Sequence, residues 1–145
     1  MQIRHTDRLE LEQSHLRTGQ PWVADVCESL RWLPEHPNGR VLIAEEGGEP
    51  RAVLGLEMIW ATGGRLVQAT IRILAVDPER DNRGFGSRLV RFAEGIARIN
   101  GCRRVLVAPR LEQWSCGRCW GLLGYDDPGA GLQKTLRSPI ENGCA

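Results

Sequence analysis

The sequence predicts one mixed domain of the α/β class, in its α+β form: a mostly antiparallel sheet with a central parallel strand pair and flanking helices. Three observations predict it. The chain has 145 residues, the size of a single folding unit. Its hydrophobic period changes from helical to strand-like near Arg40 and back to helical near Ser87. A strand, a helix and a second strand then follow one another over Val67–Val107, long enough for the crossover that sets two strands parallel.

Taken in order, Met1–His5 reads as a short first strand. Asp7 can cap a helix through "RLELEQSHLR", which Gly19–Pro21 breaks. Pro21, at the favoured first helical position, opens a second helix, "PWVADVCESLRWL", and the turn formers of "PEHPNG" stop it. "RVLIAEE", "RAVLGLEMIW" and "RLVQATIRILAV" are three strands joined by the turns "GGEP" and "ATGG", a meander by the usual signals. After "DPERDNRGFG" a helix begins, with Phe85, Leu89, Phe92, Ala93, Ile96 and Asn100 as its expected apolar stripe and Gly101 as its stop. "RRVLVAP" is a buried strand, "LEQWSCGRCWGLL" a short helix, and "GLQKTL" a final strand. The expected domain is 1–138, and 139–145 an expected loose tail.

Composition narrows the function classes. A hydrophobic share of 41% and a charged share of 26% are ordinary for a globular protein. The net charge of +1 argues against a general nucleic-acid binder. No apolar run approaches the ~20 residues that cross a bilayer, and the first residues hold no apolar signal region. The expectations are a cytoplasmic protein with no membrane or nucleic-acid partner. Five cysteines, an odd number, argue against a disulfide framework. "CGRC" at Cys116 and Cys119 lacks the second pair that a structural zinc site needs, so no metal is expected.

One stretch carries chemistry. In "DPERDNRGFGS" two glycines flank Phe85 just where the helix starts, and Arg80, Arg83 and Arg88 stand beside them. First-turn amides of a helix have no internal partner and sit at the positive end of its dipole, so a bare turn there suits an anion. A P-loop would need Lys-Ser/Thr after Gly86, where Ser87-Arg88 stands. A dinucleotide fingerprint would need a third glycine where Leu89 stands. The plain alternative is a tight turn and nothing more.

The segment "ILAVDPERDNRGFGSRLVRFAEGIARINGCRRVLV" resembles the central part of the GNAT superfamily of acyl-CoA-dependent N-acyltransferases. There a strand leads through an Arg/Gln-x-x-Gly-x-Gly/Ala turn into a helix. "CWGLLGY" is similar to that family's Phe-Tyr-x-x-x-Gly-Phe ending, and the order of elements matches its fold. The resemblance implies that acetyl-CoA is the co-substrate. Its pyrophosphate would rest on the amides of Asn82, Arg83, Gly84, Phe85, Gly86 and Ser87. Arg80, Arg83 and Arg88 would reach its phosphates. Its pantetheine would pair with the main chain of Leu74, Ala75 and Val76, in a splay expected after Val76 and Val107. Gln113 would hydrogen-bond the pantetheine. Asp81 stands where the motif has Arg or Gln.

The resemblance also implies where the catalytic groups should be, and here the chain departs. The usual strand glutamate is Arg72, and the usual tyrosine acid is Trp120. Glu57 on the neighbouring strand is the substitute base; a solvated strand carboxylate is its plainer reading. Trp120 offers only a donor. Cys119, or Cys116 one turn earlier, is the substitute acid, against a plainer reading as packing. Alternation along "ATIRILAV" sets Arg72 on a face with Thr70 and Leu74, opposite Ile71 and Ile73. The expected function is transfer of acetyl to a primary amine of a small molecule, peptide or protein by direct attack, with a homodimer possible. The alternative is a catalytically degenerate relative that binds coenzyme A or its esters as a sensor or interaction module.

Overall fold

The computed structural model describes residues 1–33, 38–60, 66–79, 84–111, 118–129 and 131–136. Strand β1 (Gln2–Thr6) is followed by helices α1 (Arg8–Thr18) and α2 (Pro21–Ser29), the latter drawn out by a 3-10 turn at Leu30–Trp32. Strands β2 (Gly39–Glu46), β3 (Glu49–Trp60) and β4 (Leu66–Val76) come next, then helix α3 (Phe85–Ile99). Strand β5 (Arg104–Val107), a 3-10 turn at Pro109–Leu111, helix α4 (Arg118–Leu122) and strand β6 (Gln133–Thr135) complete the described chain. Six strands form one sheet in the order β1-β2-β3-β4-β5-β6. Every described pairing is antiparallel except β4 with β5, which the crossover through α3 makes parallel.

Local chemistry explains the boundaries. Asp7 accepts the Glu10 N–H at 2.8 Å and caps α1. Gly19, with φ 67°, closes that helix by returning its N–H to the His15 carbonyl. Pro21 stands at the start of α2 as expected. The helix ends earlier than its apolar pattern suggests, at Ser29. Of the expected helix over Leu111–Leu123, residues Arg118–Leu122 are helical, Leu111 belongs to the 3-10 turn, and 112–117 lie outside the described residues. The expected tail at 139–145 lies outside them too.

The sheet separates two apolar layers. On one face α1 and α2 bring Leu11, Val23, Val26, Cys27 and Leu30 onto Ile43, Val53 and Ile73. On the other, α3 lays Phe85, Leu89, Val90, Ala93 and Ala97 over Leu54, Leu56, Met58 and Ile71. The buried stripe of α3 therefore differs from the expected one. Phe92 is 41% exposed and Asn100 is exposed, whereas Val90, Glu94 and Ala97 are buried. Glu94 is 5% exposed and partnered twice: it accepts from Tyr125 Oη at 2.8 Å and from Lys134 Nζ at 2.9 Å. Lys134, the single lysine of the chain, also donates to the Leu123 carbonyl at 2.7 Å. One charge-assisted cluster thus joins α3, the end of α4 and β6.

Candidate active site

The site is built where β4 and β5 part. Their last paired residues are Ile71 and Val107, and the Ala108 N–H reaches the Ile71 carbonyl at 2.9 Å. Beyond that level β4 runs on to Val76 with no β5 residue opposite it, while β3 stays paired along its other edge from Gly55 to Ala52. The strands therefore diverge after Ile71, not after Val76 as the sequence suggested. Strand β5 is only four residues long and turns away at Pro109.

The edge that β5 leaves has a defined polarity. Asp77 donates its N–H to the Arg51 carbonyl of β3 at 2.7 Å, so Asp77 faces β3. Main-chain groups alternate sides along a strand, so those of Val76 and Leu74 face the edge that β5 has left, and those of Ala75 face β3. Side chains divide otherwise: Leu74 packs in the α3 layer and Ala75 in the α2 layer. The same corner is braced by an ion pair between Arg51 Nη1 and Asp77 Oδ2, 3.2 Å apart and both mostly buried, and by the Glu79 N–H donating to Asp77 Oδ1 at 3.1 Å. Neither Arg51 nor Asp77 stood out in the sequence; the Asp-Pro step at the strand's end was the only signal.

Helix α3 begins just past that edge. Gly84 is its N-cap in the left-handed region, φ 80°, and no described side chain caps this end. A side chain at Gly84 would meet nothing within 4 Å, so its glycine requirement is conformational and the space around it is open. Phe85 and Gly86 are buried, Ser87 is half-buried and Arg88 exposed. Two features that bind anions thus coincide: first-turn amides that no described side chain caps, and open space around the Gly84 Cα. Arg80, Asp81, Asn82 and Arg83 lie outside the described residues, as do Gln113 and Cys116.

At the level where β4 leaves β5, the β3–β4 register slips. Gly55 pairs with Ile73 and Leu56 with Ile71, so Arg72 is an extra residue with no partner across the ladder. The bulge breaks the simple alternation expected of this strand. Ile71 and Leu74 pack on the α3 side and Ile73 on the α2 side. Leu56 and Met58 face α3, which places Glu57 on the α2 face with Val53. Arg72 meets it there: Nε and Nη2 both donate to Glu57 Oε1, at 3.1 and 2.7 Å. Nearby on this face, Gly39 of β2 pairs with Glu57 and borders a cavity of about 710 Å³. Asp7, Leu30, Leu33 and Val41 are among the residues that line it.

Two further candidates, Trp120 and Cys119, belong to α4. Trp120 is fully buried; its indole N–H donates to the Leu111 carbonyl at 2.7 Å and its ring meets Tyr125 edge-on at 5.2 Å. Those contacts tie α4 to the 3-10 turn that follows β5. Cys119 precedes Trp120 in the first turn of α4. Cys27 and Cys102 are free and buried, and burial pushes both thiols above their usual value. No group of three or more metal-ligating side chains occurs among the described residues, and no described helix is long and apolar enough to cross a membrane.

Comparison with known proteins agrees with this architecture. An aminoglycoside 6'-N-acetyltransferase from Enterococcus faecium superimposes with a TM-score of 0.67 at 16% identity, over 96% of this chain and 99% of that one. A transcriptional regulator from Bacillus halodurans gives 0.66 at 20% identity, over 90% and 96%. An aminoglycoside 6'-N-acetyltransferase complexed with coenzyme A gives 0.63 at 14% identity, over 96% and 99%. At such identities the likeness is one of fold. No curated protein matches the chain. The model of the acetyltransferase (GNAT) family matches residues 7–116, most of the chain and all of the elements that build the strand apex and the glycine turn, and the protein belongs to that family.

Proposed function

We propose that the protein is an N-acetyltransferase that moves acetyl from acetyl-CoA to a primary amine by direct attack. One observation carries the reading: the edge at Leu74 and Val76 is bare of β5, and the helix that follows in the chain starts at Gly84 with no cap from any described side chain. An extended amide-bearing arm fits the first and a pyrophosphate the second. In this reading Leu74, Ala75 and Val76 align the pantetheine, with Leu74 and Val76 making the main-chain bonds. Asn82 through Ser87 seat the pyrophosphate, Arg80, Arg83 and Arg88 add charge around it, and Gln113 completes the cofactor contacts.

The reaction forms a C–N bond, breaks the thioester C–S bond, moves one proton off the amine and returns one to the thiolate. Glu57, on the α2 face at the apex, is the carboxylate placed to take the amine proton, directly or through water. The cavity that begins at Gly39, the strand partner of Glu57, receives the acceptor. Positioning alone supplies several kcal/mol of rate enhancement. That matters here because Trp120 has no proton to give and Glu57 already holds Arg72. The same two observations support a second reading, a coenzyme-binding module without turnover.

Calorimetric titration with acetyl-CoA, repeated on Gly84→Glu, separates these outcomes. Micromolar binding lost in the variant is the expected result, followed by coenzyme A release with at least one amine of a broad panel. Binding without release across that panel selects the module. A folded wild type that binds no acyl-CoA overturns both.

A further inference from the structure

We infer that Arg72 is a specificity determinant, and that the acceptor amine carries an oxyanion group, a carboxylate or a phosphate, which the Arg72 guanidinium receives. The inference rests on the acyl-transfer reading above and names the substrate class of that same site. Three independent features converge on this side chain. It is the extra residue of a bulge, a device that re-aims a side chain out of the ladder's alternation. It comes immediately after Ile71, the last β4 residue paired with β5, so it stands at the apex where the acyl group would lie. And it is held by one end only.

That last point decides the chemistry. Both bonds to Glu57, from Nε and Nη2, fall on a single oxygen, and among the described residues Nη1 makes no hydrogen bond. The Arg72 side chain is 49% exposed whereas that of Glu57 is 18% exposed. The carboxylate is therefore the more buried partner, and the guanidinium leaves its outer edge exposed beside the residue where β4 parts from β5. A planar, always-charged fork with its rotamer already fixed is suited to two-pronged capture of an oxyanion. An exposed ion pair contributes little to stability, so fold maintenance alone does not account for a pair at this position. A cavity lined by Leu30, Leu33 and Val41 as well as Asp7 begins at Gly39, the β2 residue paired with Glu57.

The first arm of the test needs no turnover. In nitrogen-labelled protein, with and without coenzyme A, the Arg72 Nε–H resonance is identified by its loss in Arg72→Gln. It is then followed during titration with N-acetylglycine, with phosphorylated N-acetylethanolamine, and with the neutral N-acetylglycine methylamide. Movement with either anion and not with the neutral amide is expected, and which anion acts distinguishes carboxylate from phosphate. Equal movement with all three, or none, overturns the inference. The second arm compares acetylation of matched amines: phenylalanine against phenethylamine, and phosphoethanolamine against ethanolamine. Wild type should favour one anionic member by about tenfold or more in kcat/KM. Arg72→Gln should bring that ratio near unity, and Arg72→Lys should restore part of it. A wild type that prefers the neutral members overturns the inference. The underlying reading fails separately, by a wild type that binds no acetyl-CoA; an Arg72 blind to anions in a protein that does bind it sinks only the substrate assignment.

Discussion

Gly55 sits opposite the bulge, and a Cβ placed there would lie 3.1 Å from both Cβ and Cδ1 of Ile73. Ile73 is buried under α2 and cannot retreat without dragging β4 with it. Gly55→Ala should therefore cost about 1–3 kcal/mol by overpacking. It should also turn Arg72 away from the apex, so the loss of anion preference would accompany the fall in urea midpoint; a drop in stability with preference intact would separate the bulge from specificity. A second prediction concerns Tyr125, whose hydroxyl is pushed far above its ordinary value by burial first and by the charge of Glu94 second. The folded state holds this proton more tightly than the unfolded chain, so the stabilisation is intact below the ordinary value of 10.0 and is lost as pH climbs past it. The buried thiols of Cys27 and Cys102 act in the same sense above 9.0. Because Tyr125 is the only tyrosine, tyrosinate absorbance reports it directly. It should appear together with alkaline unfolding, and Tyr125→Phe should flatten the fall in stability above pH 10 while costing about 1–3 kcal/mol at neutral pH for the buried carboxylate left with one partner fewer. Tyrosinate forming in the still-folded protein would refute this.

Helix α3 shows how much of the architecture was readable. Its place, its length and its glycine start follow from periodicity and from the turn "DNRGFG", because helical spacing and a φ of 80° both leave marks in sequence. Its facing does not. Phe92 was counted in the buried stripe for its hydrophobicity, yet it is 41% exposed, while Glu94, outside that stripe, is buried because Tyr125 and Lys134, thirty-one and forty residues further on, supply partners that no local pattern contains. The bulge at Arg72 was hidden for a related reason. Its evidence is the register against β3, not anything in "ATIRILAV" itself. The level of the splay likewise depends on where β5 turns away, at Pro109, rather than on the length of β4. The rotated face is measurable: Leu89→Ala, fully buried, should cost about 2–5 kcal/mol. Phe92→Ala should stay within about 0.5 kcal/mol. Comparable losses at the two positions would show that the helix faces the sheet as the sequence stripe suggested.

Across the whole molecule the sheet is held together unevenly. Strands β1 to β4 form a continuous antiparallel block, whereas β5 and β6 join it through four parallel pairs, the α3 layer and the Glu94 cluster. A ligand lying along Leu74–Val76 and ending at Gly84 bridges that block to the helix that carries the crossover. Binding to the folded state alone stabilises by mass action, about 2.7 kcal/mol at a ligand concentration one hundred times Kd. Amide hydrogen exchange gives that stabilisation an address. With acetyl-CoA present, protection should rise first at Leu74 and Val76, whose amides face the uncovered edge, and in the first turn of α3 from Phe85 to Ser87. Ala75, already facing β3, should change less, and β1, remote at the far edge of the sheet, should follow only the global change. Gly84→Glu should remove the local gains at both places together, because the arm cannot lie on the edge once its pyrophosphate has lost its seat. Protection confined to α3, with Leu74 and Val76 unmoved in wild type, would mean that an anion binds the helix start without an extended arm. The strand edge would then be no part of the coenzyme site.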